Sequence, residues 1–424
     1  YDPFYEIEGH DYPIGYVRWT ENRNMEAVVE LMAQGKLTCN SLISHRFPIT
    51  DALRAYDVIT GKASERYVAV LIEYPGNHEK ERTPRIVASE SRKVAAKAAV
   101  PHIGFIGAGN FAQSYLLPHF IESGVILTGV ATQTPAHARK AMETFGFGFC
   151  TTDASTVLDD AGTNAVVVAT HHDSHARYVV EALQRGKHVF VEKPLAISHD
   201  QLDAIFNALG HQQRQTVLFT GFNRRFSRPW QEIKDWFADR VAPMTVVYRV
   251  NAGSLPANHW LRSDNQGGRV IGEACHFVDC LRFVTGSRPI RVFADAQRTR
   301  HTTGSVEESV IMTISFEDGS LGTIAYVVDG EASMEKEYCE ISSGGRTAVM
   351  KGFAEVLFGH NRKVKRKRYD GTKGHKEEVE HFVGLLKSEA HPLLTIEEQI
   401  EVTLTTLLAV DSIKYQRPID VRNV

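Results

Sequence analysis

Apolar residues recur along this chain in two rhythms. Between about 101 and 222 they come in short runs: Ile103-Gly-Phe-Ile106, Val125-Ile-Leu-Thr-Gly-Val130, Asn164-Ala-Val-Val-Val-Ala-Thr170 and Lys187-His-Val-Phe-Val-Glu-Lys-Pro194. Such runs, separated by helix-length segments, predict strands buried on both faces of a doubly wound parallel sheet. From Met244 the rhythm changes to alternation. Ile290–Ala294, Ser309–Ser315, Leu321–Val327 and Glu337–Ile341 read as long strands of an antiparallel sheet, with Asp318-Gly319 as a hairpin turn. Helical spacing of apolar residues marks Arg23–Gly35 (Met25, Val28, Leu31, Met32), Asp51–Thr60, Lys376–Ser388 and Thr395–Tyr415. The segment from Gly267 through Asp279 also reads as a helix, with Val270, Ala274, Phe277, Leu281 and Val284 as its buried stripe.

These patterns divide the chain into five parts. Residues 1–75 form a small α/β unit, and 76–100 a polar linker holding one short strand at Arg85–Ala88. Residues 101–222 carry the parallel sheet, 223–375 an α+β domain, and 376–424 two helices that pack back on the parallel sheet.

The first apolar run ends in Gly107-Ala-Gly-Asn-Phe-Ala112, followed by a helix-compatible segment from Gln113 to Glu122. Strand, glycine turn and helix in this order match the dinucleotide-binding fingerprint G-x-G-x-x-A. Gly107 allows the tight turn, Gly109 lets a pyrophosphate approach the backbone, and Ala112 keeps the helix close to the strand. Ala108, Asn110, Phe111, Thr132 and Thr170 join them as expected cofactor neighbours. The second strand ends Ala131-Thr-Gln-Thr134 with no acid to hold a ribose 2′-hydroxyl, so charge does not select NAD over NADP, and Arg139 hints at NADP.

Composition narrows the classes. At 424 residues, 43% hydrophobic and 23% charged, this is a globular chain of two or three domains. A net charge of -3 argues against broad nucleic-acid or anionic-membrane binding. Five scattered cysteines show no zinc spacing and point to free thiols in a reducing, cytoplasmic setting. No metal site is expected. The basic run Arg362–Arg368 reads as a charged edge strand, and His45 as structural.

Glu192-Lys193-Pro194 at a strand end, with the glycine turn, Thr170-His-His-Asp-Ser-His175 and Gly186-Lys-His-Val-Phe-Val191, resembles the Gfo/Idh/MocA oxidoreductase family over residues 101–424. The resemblance implies a Rossmann domain, NAD or NADP, a sugar, sugar-nucleotide or polyol substrate, and a dimer or tetramer. Similar proteins are linked with surface-polysaccharide or sugar metabolism. It places Lys193 beside nicotinamide and the reacting carbon, often before a cis proline, and adds His171, His175 and Glu192 to the cofactor side. A lysine at the carboxyl end of a parallel strand is also where open α/β sheets bind ligands. His276 and Asp279 match the family's H-x-x-D. His276 is the expected general acid/base, with a pKa suited to proton exchange near pH 7, and Asp279 its support. Many members carry an Asp four residues before that histidine; here the position is Gly272, which Glu273 would have to replace. The two arginines Arg224 and Arg225 at the domain junction can hold a substrate carboxylate or phosphate or equally pair with carboxylates of the fold, and Asn223 and Arg225 are the candidate substrate contacts. Two other readings share the fold: a non-catalytic nucleotide sensor or scaffold, and a hydrolase or lyase that recycles bound NAD. Residues 1–75 resemble instead the C-terminal end of zinc-alcohol-dehydrogenase-like reductases, through Gly15–Asn24, His45-Arg-Phe-Pro48 and Ala55-Tyr56. They carry no expected active site.

Overall fold

The structure, a computed structural model, describes residues 16–63, 65–74, 85–87, 100–210, 216–255, 259–262, 264–297, 309–331 and 333–421, with Tyr5 and Tyr12. The chain forms two compact units, Tyr1–Arg82 and Thr83–Val424.

The first unit holds helix α1 (Glu21–Ala33), strand β1 (Ile43–Pro48), helix α2 (Ala52–Ile59) and strand β2 (Ala69–Glu73), the strands paired in parallel. Thr20 caps α1 by accepting from the Arg23 N–H. The stripe that predicts α1 is not a core stripe here: Met25, Val28, Leu31 and Met32 are exposed. His45 pairs with Glu65 at 3.0 Å and meets Ser44 Oγ at 3.0 Å, so both ring nitrogens have local partners.

The second unit begins, among its described residues, with β3 (Arg85–Val87). Most of the expected linker lies outside the described residues, but β3 belongs to the nucleotide domain, where it pairs antiparallel with β6 (Phe149–Thr151). The strands β4 (His102–Ile106), β5 (Ile126–Ala131), β7 (Ala165–Val168), β8 (His188–Val191) and β9 (Leu218–Thr220) complete a seven-stranded sheet ordered β3-β6-β5-β4-β7-β8-β9. All pairs but β3–β6 are parallel. The order reverses between β4 and β7, which opens a crevice at their carboxyl ends. Phe105, Phe120 and Phe190 stack edge to face at 5.5 and 5.8 Å, and Phe382 of the C-terminal region meets Phe190 at 5.5 Å. Such pairs add about 0.5–1.5 kcal/mol each beyond area burial.

The second sheet is built from β10 (Thr245–Asn251), β11 (Pro289–Ala296), β12 (Val310–Phe316), β13 (Leu321–Val327), β14 (Glu337–Ser343), β15 (Arg346–Lys351), β16 (Glu355–His360), β17 (Lys363–Arg368) and β18 (Ile419–Asp420), ordered β17-β16-β15-β14-β10-β13-β12-β11-β18 and antiparallel except for β10 beside β13. The basic strand β17 (Lys363–Arg368) is one edge, exposed, with Arg366 on Glu355 and Lys367 on Glu232. Charge at an edge blocks further pairing. The helix Cys275–Thr285 runs beneath this sheet with every residue buried. It is preceded by a π-turn, Val270–Ala274. The last long helix, Ile396–Tyr415, differs from expectation in what it covers. Its Gln399 bonds Thr220 and the Leu218 carbonyl of the nucleotide sheet, while its Ser412 hydroxyl accepts from the Ala294 N–H of β11 (Pro289–Ala296). It therefore ties both sheets together. No described helix is long and apolar enough to cross a membrane.

Candidate active site

Two turns flank the crevice. Gly107 has φ +92°, and a Cβ there would lie 2.3 Å from the Ala169 carbonyl oxygen at the end of β7, so only glycine fits. Gly109 has nothing within 4 Å of where its Cβ would be. The backbone after Gly107 thus faces open space, as a pyrophosphate cradle requires. Asn110 and Phe111 are exposed beside it, while Ala108 and Ala112 are buried. The following helix opens as a π-turn, Ala112–Leu116, before α3 (Leu117–Glu122). Thr132 is half-buried at the end of β5, its hydroxyl donating to the Thr134 carbonyl. These residues fit a dinucleotide.

The loop after β7 carries Thr170 and His171. The Thr170 and Ser174 hydroxyls are 2.6 Å apart, and the exposed His171 ring stacks on Trp260 at 4.8 Å. His175 points elsewhere. It is buried, and its ring nitrogens lie 2.8 Å from the Pro194 carbonyl and 3.1 Å from the Thr170 carbonyl. It clasps the loop after β7 to the loop after β8, so its side chain is not available to a cofactor.

Lys193 follows β8, and the Lys193-Pro194 peptide is cis. Its ammonium donates to the Gly272 carbonyl, 2.9 Å away in the π-turn of the other domain. Turns of this type recur at functional sites. Glu192, expected on the cofactor side, is buried instead against Gly221, with Oε1 unpartnered. Burial pushes its carboxyl up to about 7, against the pull of the neighbouring lysine. Glu378 is also buried and unpartnered, and burial together with Glu192 holds it well above the ordinary carboxyl range.

His276 is buried with Nδ1 unpartnered. Its expected pKa near neutrality is not what its surroundings give. Burial first, then the cations Arg224 and Lys193, hold it well below the usual imidazole range. His375, beside it, is lowered to about 4 by burial, Arg224 and Lys373. The cleft therefore pairs a lysine ammonium with neutral imidazoles.

Asp279, Asn223 and Arg225 serve other contacts. Arg225 Nε donates to both Asp279 carboxylate oxygens at 3.1 Å, and its Nη1 donates to Glu398 and the Leu393 carbonyl, both at 2.8 Å. Neither Arg225 nor Asp279 is exposed. Asp279 thus supports the domain junction rather than the histidine, and Arg225 is closed to substrate. Asn223, also buried, donates to the Lys373 carbonyl at 2.9 Å. Their neighbour Arg224 also takes a carboxylate of the fold: it grips Glu337 through Nε and Nη2 at 3.0 and 2.9 Å, and Lys373 shares that carboxylate at 2.9 Å. Burial would raise Glu337, but Arg224 and Lys373 outweigh it and hold it at about 2. Glu273 accepts from the Tyr326 hydroxyl and, at 3.5 Å, from Arg269 Nη2, so its carboxylate is engaged away from the histidine. Among the described residues no cluster of His, Cys, Asp and Glu is placed to hold a metal.

Comparison with known proteins agrees with this geometry. Residues 102–222 match the family model for the oxidoreductase family with an NAD-binding Rossmann fold, and 240–341 match that for the GFO/IDH/MocA C-terminal domain. Together they span just over half of the chain, which belongs to this family of NAD(P)-dependent oxidoreductases. The matched residues leave the first unit outside both models. Among similar proteins, the myo-inositol 2-dehydrogenase of Thermotoga maritima is 26% identical over 228 residues, 52% of this chain and 67% of that one. The D-xylose 1-dehydrogenase (NADP(+)) 2 of Haloferax volcanii is 23% identical over 313 residues, 71% of this chain and 94% of its own. A levoglucosan dehydrogenase solved with NADH and levoglucosan shares the fold at TM-score 0.66 and 18% identity, covering 76% of this chain and all of that one.

Proposed function

We propose that this chain oxidises or reduces a secondary alcohol of a sugar or polyol with NAD or NADP. One observation carries the reading. Lys193, at the carboxyl end of a parallel strand, reaches 2.9 Å across to the Gly272 carbonyl, in the π-turn that leads into the helix carrying His276. A substrate oxygen in that crevice meets an ammonium donor and a neutral imidazole acceptor together. Bound nicotinamide supplies the hydride acceptor or donor. Lys193 donates to the substrate oxygen and stabilises negative charge growing there during oxidation. His276, neutral in its cationic surroundings, takes the hydroxyl proton. Gly107, Gly109 and the backbone around them hold the pyrophosphate. Arg225, Asp279 and Glu398 keep the two domains in register. Family resemblance and the names of the similar proteins favour a polyhydroxylated ring as substrate. The exposed sheet-face residues Val247, Phe293, Ile311 and Leu321 are where we place contacts between copies of the chain.

The test is turnover. The purified protein, given myo-inositol, D-xylose or levoglucosan with NAD or NADP, should produce reduced nicotinamide with at least one pair. Tight cofactor binding with no turnover across the panel would favour the sensor reading instead. Turnover of a glycoside with no net change in nicotinamide absorbance would favour the hydrolase or lyase.

A further inference from the structure

Gly272 leaves a notch in the wall of the crevice, and His172 fills it. A Cβ at 272 would lie 2.6 Å from His172 Cε1 and 3.1 Å from its Nδ1. The first distance is shorter than real carbon contacts allow, so the imidazole and a side chain at 272 exclude one another. The same glycine's carbonyl receives Lys193. His172 therefore stands beside the lysine expected at the reacting oxygen, where a side chain on the π-turn would otherwise start.

Its chemistry is constrained. The Nδ1 atom is 3.1 Å from the Gln266 carbonyl, which can only accept. Nδ1 thus carries the proton, and Nε2 keeps its lone pair. Burial first, then the charge of Lys193, lowers the ring to about 3, so it is neutral at any ordinary pH. No described residue bonds Nε2. Trp260 packs edge-on against the ring at 4.8 Å while stacking on His171, and so holds the imidazole from one side.

We propose that His172 is a specificity-determining residue of the substrate pocket, occupying the place of a side chain at 272 and offering Nε2 to a substrate hydroxyl next to Lys193. This rests on the dehydrogenase reading above. An acceptor of fixed tautomer selects a hydroxyl over a hydrogen or an ether at the carbon it faces, because a buried acceptor left unpaired is costly.

The experiment compares wild type with His172→Ala, His172→Gln, Gly272→Ala and the double variant His172→Ala/Gly272→Ala. It uses the polyol of the panel that wild type turns over fastest. His172→Ala should raise KM about tenfold, the loss of one hydrogen bond in a water-poor site, with nicotinamide affinity unchanged. His172→Gln, whose amide oxygen can stand in for Nε2, should recover most of that loss. Gly272→Ala should lower the melting temperature, and His172→Ala in the same chain should restore it. Parallel weakening of cofactor and polyol binding by His172→Ala would overturn the proposal, as would Gly272→Ala being equally harmful with and without the imidazole. A wild-type protein silent toward the whole panel would strike down the dehydrogenase reading and this contact with it. Failure of the contact alone would show instead as wild type and His172→Ala turning over alike.

Discussion

Arg225 and Asp279 face each other with no solvent reaching either side chain. One leaves the last strand of the nucleotide sheet and the other sits in the helix beneath the second sheet, so the pair fastens the domains together. Burial first, and then the nearby Glu398, pushes Asp279 up to about 6 against the pull of the guanidinium. Removing Asp279 leaves the buried guanidinium with Glu398 as its remaining carboxylate and opens a hole where the stronger pairing stood. Asp279→Ala should therefore cost about 3–5 kcal/mol of stability, measured by urea unfolding. If Asp279 instead serves catalysis, turnover will collapse while stability holds.

This pair also shows where the sequence stops being legible. The buried strands β4, β7 and β8 are readable because an apolar run between glycine and helix signals has few other folds. The glycine turn is readable because its φ and its contact with Ala169 admit no side chain. The partners of Arg224 and Arg225 are not. Glu337, Asp279 and Glu398 lie 113, 54 and 173 residues away, and only the tertiary fold selects among the carboxylates. The three-residue spacing of Glu273, His276 and Asp279 suggests one shared face. In a helix buried on all sides, shared spacing does not imply a shared partner, and Asp279 goes to Arg225 while Glu273 goes to Tyr326. The stripe of α1 is legible as amphipathic, yet its apolar side is exposed, so periodicity marked the helix and not its cover.

The glycine turn makes two separable predictions. Gly109→Asp places a carboxylate in open space where the pyrophosphate is expected, and should abolish nicotinamide binding with the circular dichroism spectrum unchanged. Gly107→Ala collides with the Ala169 carbonyl and forces a strained φ, and should lower the melting temperature as well. Equal nicotinamide affinity in wild type and Gly109→Asp would remove the turn from cofactor binding.

Glu192 predicts a slope in stability against pH. Its folded pKa of about 7 is raised above the ordinary 4.5 by burial. Between these values the folded chain keeps a proton that the unfolded chain has lost. Its contribution is thus fully present below pH 4.5 and is lost as pH rises through 7, at most ~1.4 kcal/mol per unit of pKa difference. Glu192→Gln, which cannot ionise, should flatten the decline in urea stability between pH 5 and pH 7.5. An unchanged slope would mean that Glu192 is ionised throughout.

Lys193 and His276 make the last prediction. The charge of Lys193 is among the causes that keep His276 neutral, so the lysine helps set the protonation state of the histidine. If both act on one substrate oxygen, each needs the geometry that the other fixes, and their deletions should not be additive. Lys193→Ala should cut turnover about 10²–10⁴-fold, the span for a proton-transferring or polarising group, while nicotinamide still binds. His276→Ala should fall in the same range, and the double variant should be little worse than either. Because burial and neighbouring cations disfavour the imidazolium, oxidation in the His276 enzyme should show no loss of rate between pH 7 and 6 from protonation of that ring. Losses that multiply in the double variant would mean that the two residues serve different steps. Full activity in His276→Ala would leave the substrate proton to another group, and His172, neutral beside the same lysine, is the next acceptor in reach of the crevice.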